Sequence, residues 1–292
     1  MINFSEQNVT AAVVEAFQDT PDPRLKKIME ALVRHLHDFV REVDLTQAEW
    51  QFAIDYLTRT GQPMPDKRQE FVLLSDTLGL SALVDAINHR LPAGATETTM
   101  LGPFYVPTPP ELPLGFDLGR GLEGEPLYVE GTVCSASGAP VANAALDIWQ
   151  SDSEGYYDVQ LADLKDARLR GRLRTDPNGH YLFWSIMPSS YPIPLDGTVG
   201  EMLRATGRSA YRPAHVHFMI TADKHETLTT HIFVAGDPYL DSDPVFSTKD
   251  SLVREFSRES PGVAPDGTRI DRPWRKLICN FGLKPLAMQQ AA

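Results

Sequence analysis

Cysteine is scarce in this chain: 292 residues hold only Cys134 and Cys279. Two thiols make neither a disulfide framework nor a thiolate zinc site, and a reducing cytoplasm fits them. Positive charge is also short, with 27 Lys and Arg against 39 Asp and Glu and a net charge of -12. That balance argues against nonspecific nucleic-acid binding, while leaving room for a locally basic pocket that takes a small anion. No run of about 18 apolar residues occurs, so no membrane span is expected. The opening residues Met1 to Glu6 lack a basic n-region and an apolar h-region, so no secretory leader is expected. Internal repeats and low-complexity tracts are missing too. What remains, 42% hydrophobic and 23% charged residues, is the make-up of a soluble globular chain of one large domain or two.

Residues 1 to about 91 read as helical. Leu25, Ile28, Met29, Leu32, Leu36, Phe39 and Val43 recur at three- and four-residue steps and form one apolar stripe, suited to core packing or to an interface. Thr46-x-x-Glu49 has the spacing of a capping box and predicts a helix that stops near Gly61. A third helical segment is expected from about Lys67 to Arg90, interrupted at Gly79. Prolines 92, 103, 107, 109, 110 and 113 then exclude helix, and a domain boundary is placed there. Beyond it the pattern changes to short strands: Leu127–Val133, Ala145–Gln150, Arg172–Thr175, His180–Trp184, His215–Thr221 and Thr229–Ala235. Asp176-Pro177-Asn178-Gly179 is a strong turn signal between two of them. The expected fold is α+β: a helical dimerisation domain over 1–99, then a β-sandwich over 100–292.

The run Arg212-Pro213-Ala214-His215-Val216-His217 carries the chemistry. Alternate residues of a strand point to one face, with Cα atoms about 6.6 Å apart, so two imidazoles here can reach one metal ion. Arg212 sets a permanent cation beside them. His35-Leu36-His37 repeats the spacing on a helix, where residues two apart diverge, and is expected to be solvated surface. The nearby carboxylates Asp223, Asp237, Asp241 and Asp243 fall in turn-like segments and read as turn residues. Tyrosine is the remaining oxygen donor, and a phenolate suits a hard trivalent ion. Spacing alone does not choose among Tyr156, Tyr157, Tyr181, Tyr191, Tyr211 and Tyr239.

The ordered motifs Asp147-Ile148-Trp149-Gln150, Gly155-Tyr156-Tyr157, Pro188-x-x-Tyr191, Arg212 to His217 and Leu228 to Pro238 resemble those of the intradiol ring-cleaving dioxygenases, the catechol 1,2-dioxygenase superfamily. The resemblance spans nearly the whole chain. It implies one non-haem Fe(III) per subunit, held by Tyr157, Tyr191, His215 and His217. It implies catalytic roles for Tyr191 as a proton acceptor, for Arg212 as a charge stabiliser and for His231 in positioning. The stretch Thr230 to Asp243, with His231 where catechol-type members tend to carry glutamine, resembles the branch that opens hydroxyquinol (benzene-1,2,4-triol) with O2 in aromatic catabolism. A substrate pocket of Leu73, Asp76, Met100, Leu101, Gly102, Pro103, Ile193, Pro194, Arg212 and Val245 is implied. Asp76 shares a helical face with Leu73 and would meet the third hydroxyl of the triol. The resemblance also implies a homodimer through the N-terminal helices, with a phospholipid at that interface. The alternatives are a catechol or chlorocatechol substrate, or a non-enzymatic β-sandwich binding module.

Overall fold

The computed structural model describes residues 3–62, 69–161 and 166–286. The chain forms two compact units, residues 1–62 and 63–292. The first holds α1 (Val9–Glu15), α2 (Pro23–Glu42) and α3 (Gln47–Thr60). Asp22 starts α2 by accepting the N–H groups of Arg24 and Leu25, with Pro23 at the first helical position. The capping box of α3 is formed as expected: the Thr46 hydroxyl accepts the Glu49 N–H, and the Glu49 carboxylate accepts the Thr46 N–H. The apolar stripe of α2 is left open; Leu36 and Phe39 are each 52% exposed. His35 is exposed as anticipated. His37 is not: it is half-buried, 2.9 Å from the Thr10 hydroxyl of α1.

The second unit opens with α4 (Glu70–Thr77) and α5 (Leu80–Asn88). They are separated at Gly79, whose φ of 72° is the left-handed conformation that glycine takes without strain. The expected start of this segment at Lys67 lies outside the described residues. Strands follow in chain order: β1 (Pro126–Ser135), β2 (Ala145–Gln150), β3 (Arg170–Arg174), β4 (His180–Ile186), β5 (Tyr191–Pro192), β6 (Tyr211–Arg212), β7 (His215–Thr221), β8 (Leu228–Val234), β9 (Val253–Arg254), β10 (Ser257–Glu259), β11 (Gly262–Val263), β12 (Arg269–Ile270), β13 (Trp274–Ile278) and β14 (Phe281–Leu283). Helix α6 (Thr198–Ala205) lies between β5 and β6.

One sheet runs β3-β2-β7-β8-β9; the other is built on β1, flanked by β4 on one side and by β13 and β14 in tandem on the other. The core lies between them. Leu127, Val129 and Val133 of β1 and Phe183 of β4 face Leu146 and Ile148 of β2 and Val216, Phe218 and Ile220 of β7. Each such side chain contributes about 1.5–3 kcal/mol when fully buried. That inward row fixes the register of β7, because a slip of one residue would turn His215 and His217 into the core. In the observed register the two imidazoles stand on the outer face, opposite to Val216 and Phe218.

Candidate active site

Strand pairing assembles the site on that outer face. His217 is opposite Trp149 of β2 on one side and His231 of β8 on the other. Tyr191 of β5 is opposite Arg212 of β6. Tyr157 precedes a single 3-10 turn, Asp158–Gln160, and its N–H donates to the Gln160 side chain. Arg170 of β3 fixes that turn by a two-point ion pair with Asp158 at 3.0 and 2.5 Å. Gly155 carries φ 92°, and a Cβ there would come within 2.8 Å of the Tyr191 Cβ, so only glycine lets the two tyrosine-bearing loops meet. Asp237 joins two further segments: its Oδ2 accepts both the Ser190 hydroxyl at 2.5 Å and the Ala214 N–H at 3.0 Å, just before Tyr191 and His215.

Of the six candidate tyrosines, the fold brings Tyr157 and Tyr191 to the histidines. Tyr156 is exposed, Tyr181 donates into the core to the Cys279 carbonyl, and Tyr211 and Tyr239 stack on each other. The Tyr157 hydroxyl lies 3.2 Å from the Tyr191 hydroxyl, 3.3 Å from His215 Nε2 and 2.9 Å from His217 Nε2. The two Nε2 atoms are 3.1 Å apart. Four donors bound about 2.0–2.1 Å from a common centre stand about 3.3 Å from one another. The donor chemistry fits a cation as well. His215 Nδ1 sits 2.6 Å from the Pro213 carbonyl, which can only accept, so its proton is there and Nε2 presents a lone pair. His217 Nδ1 meets no partner among the described residues, and its ring stacks on Trp149 at 4.5 Å. Phe104 packs on Tyr157 in the same way, also at 4.5 Å. His231 supplies a third imidazole, with ligand atoms of all three within 4.8 Å.

The electrostatics keep the imidazoles neutral. Burial, then the charge of Arg212, lowers His215 to about 3, so it is neutral at pH 7 as a ligand must be. His217 and His231 are driven well down, chiefly by burial. Burial, then Tyr191, holds the Tyr157 phenol well above its usual range, so its ionisation needs a compensating cation. Arg212 is 4% exposed; burial opposes its charge, but Asp243, Tyr191 and Tyr157 raise it, so it stays cationic.

The chain matches the dioxygenase family over residues 102–270, and a family described as the catechol dioxygenase N terminus over residues 22–96. The chain belongs to the catechol (intradiol) dioxygenase family. Among relatives of this dioxygenase, the 6-chlorohydroxyquinol 1,2-dioxygenase of Cupriavidus pinatubonensis is 52% identical, over 90% of this chain and 95% of that one. The hydroxyquinol 1,2-dioxygenase of Nocardioides simplex is 49% identical, over 96% of each. The crystal structure of hydroxyquinol 1,2-dioxygenase from Pseudomonas putida DLL-E4 superposes with a TM-score of 0.91 at 45% identity, covering 96% of this chain and 98% of that one. The catechol 1,2-dioxygenase of Pseudomonas arvilla C-1 gives 0.80 at 30% identity, covering 97% and 93%. The reading as a non-enzymatic binding module falls with this family: the protein is an enzyme.

The residues expected to line the dioxygenase pocket divide by burial. Leu73, Asp76, Ile193 and Val245 are buried, Met100, Gly102 and Pro194 are half-buried, and Leu101 and Pro103 are exposed. The segment carrying Met100 and Gly102 is held to β8 by the Thr99 N–H on the Thr229 carbonyl, and a Cβ on Gly102 would be 3.4 Å from the His217 ring. Asp76 is 6% exposed, and its carboxyl is pushed up by burial, against the Ser81 hydroxyl and the Arg212 charge. Two acidic residues read as turn residues do more than turn the chain. Asp237 joins the Tyr191 and His215 segments, and Asp243 is buried against Arg212 at 3.3 Å. Phe104 is the aromatic that sequence reasoning passed over; its place directly after the Gly102-Pro103 motif is the one signal pointing to it.

Proposed function

We propose that this enzyme cleaves hydroxyquinol between its adjacent hydroxyls with O2, giving 3-hydroxy-cis,cis-muconate, a tautomer of maleylacetate. The observation that carries the reading is the convergence of Tyr157, Tyr191, His215 and His217 donor atoms beside Arg212. These four would hold one non-haem Fe(III) per subunit, which when bound supplies the electron-accepting centre that lets a chelated diol react with O2. The protein's own residues do the rest. Tyr191, which would hold the iron as a phenolate, would accept a substrate proton at its phenolic oxygen. Arg212, cationic and buried, stabilises the negative charge that grows on the ring and its oxygens. His231, 4.1 Å from His217 between ring centres, would position the intermediate. Tight packing by Trp149 and Phe104 excludes water.

Asp76 supports the triol as substrate. A carboxylate in a buried pocket is costly without a donor, and a third ring hydroxyl is such a donor. Leu73, Met100, Leu101, Gly102, Pro103, Ile193, Pro194 and Val245 would form the apolar walls. The names of the relatives at about 50% identity point the same way. Oxygen uptake by iron-replete protein, corrected for autoxidation of the triol, should be much faster with hydroxyquinol than with catechol. Equal or faster catechol turnover would overturn the substrate assignment.

The functional division falls at about residue 99, supported by the break between the two family matches. The open stripe of α2 supports a homodimer through the N-terminal helices, with room for a phospholipid chain against its apolar side chains. Free Cys134 and Cys279 support a reducing, cytoplasmic setting.

A further inference from the structure

The guanidinium of Arg212 is held at two points on one edge. Its Nε donates to Asp243 Oδ1 at 3.3 Å, and its Nη2 donates to the Ser247 hydroxyl at 2.6 Å. The two acceptors are themselves joined: the Ser247 hydroxyl and N–H both donate to Asp243 Oδ2, at 2.6 and 3.1 Å. Pro244 follows Asp243, and the Val245 N–H bonds back to Asp243 Oδ1 at 3.4 Å. All three side chains are buried, with Asp243 6% and Ser247 2% exposed. A planar fork gripped along its Nε–Nη2 edge cannot swing, so its Nη1 is left facing the donor cluster. There it lies 3.4 Å from the Tyr191 hydroxyl and 3.4 Å from His215 Nε2.

We propose that Asp243 and Ser247 are positioning residues of the dioxygenase reaction, a pincer that aims Arg212 at Tyr191. The inference rests on the role given above to Arg212. A buried cation pays a heavy desolvation cost unless a counter-charge meets it, and Asp243 supplies that charge. The arrangement also spares Asp76. The donors of Arg212 are directed to Asp243, Ser247, His231, Tyr191 and His215, so Asp76 is left to its neighbour Ser81 and to substrate. The loop that binds Arg212 also carries Val245, which couples the aim of the cation to the wall of the pocket.

The test is a double-mutant cycle in iron-replete protein. Ser247→Ala keeps the Asp243 charge and removes one arm of the pincer; Asp243→Asn removes the charge. Each should lower kcat about 10- to 100-fold, the worth of a hydrogen bond to a charged group, with KM changed far less. In an Arg212→Ala background the same two substitutions should cost less than about twofold, because residues that act through one partner are not additive. A crystal structure of iron-free Ser247→Ala should have the guanidinium turned away from the Tyr191 hydroxyl. Equal losses in both backgrounds, losses that follow iron content, or an unmoved guanidinium with unchanged kcat would overturn the pincer and leave a structural turn. Should Asp243→Asn fail to fold, Ser247→Ala decides alone. Arg212→Ala turning over at the wild-type rate would instead sink the role of Arg212 itself.

Discussion

Replacing Asp76 by asparagine separates substrate choice from stability in one residue. The swap keeps the shape of the side chain and one acceptor oxygen, and removes the charge. A hydrogen bond to a charged group contributes about 1.5–3 kcal/mol and a neutral one about 0.5–1.5 kcal/mol, so the triol should lose about 1–1.5 kcal/mol. That is a fall of about 5- to 13-fold in kcat/KM for hydroxyquinol. Catechol has no third hydroxyl to offer. It leaves the buried carboxylate with the Ser81 hydroxyl but without the substrate's donor in the wild type, so its kcat/KM should hold or rise, and the preference for the triol should shrink. Stability should move the other way. Burial raises the Asp76 carboxyl in the folded chain above its unfolded value. Below the unfolded pKa both states are protonated and the residue costs nothing. As pH rises through the folded pKa the buried charge appears and stability is lost. Asp76→Asn should therefore melt higher than wild type at pH 7, with the gap closing as pH falls toward the unfolded carboxylate range. Melting curves across pH 4–8 and initial rates on both substrates are the assays. Equal losses on triol and catechol, or a variant less stable than wild type at pH 7, would refute the reasoning.

Tyr157→Phe removes a donor 2.9 Å from His217 Nε2 and should bleach or shift the visible absorption of the iron-loaded protein; an unchanged spectrum would take Tyr157 out of the ligand set. Cys279 is 1% exposed, and burial pushes its thiol up to about 12, so at pH 8 it should resist a thiol reagent until denaturant is added. Labelling of Cys279 in the native protein would contradict that burial. Leu36→Glu with Phe39→Glu places two charges on the open stripe of α2 and should turn the proposed homodimer into monomers by sedimentation without unfolding the second unit. A dimer left unchanged would move the interface elsewhere, and a wild-type monomer would overturn the homodimer.

Local signals made much of the frame readable. The capping box at Thr46 and Glu49, the break at Gly79 and the strands Ala145–Gln150 and His215–Thr221 depend on neighbours within a few residues. Period-two alternation also set His215 and His217 on one face. What stayed hidden depends on distant partners. From Val253 onward every strand but β13 is two or three residues long, too short for alternation to register. Helix α6 has its Val199 N–H capped by Glu70, 129 residues earlier. The choice of Tyr157 and Tyr191 over four other tyrosines came from family motifs, because six phenols at irregular spacing differ only in where the loops take them. Asp243 looked like a turn residue since its Val245 and Ser247 bonds are those of a turn; its long-range bond to Arg212, 31 residues away, is what changes its meaning.

The donor cluster draws on segments far apart in the chain: Tyr157 is 60 residues from His217, and Asp237 clips the Tyr191 and His215 segments together from beyond both. No short stretch therefore holds all four donors by itself. The four donors meet only when β7 has paired with β2, β5 has paired with β6, and Asp237 has joined their segments, so the cluster is a readout of the finished fold rather than of any one element.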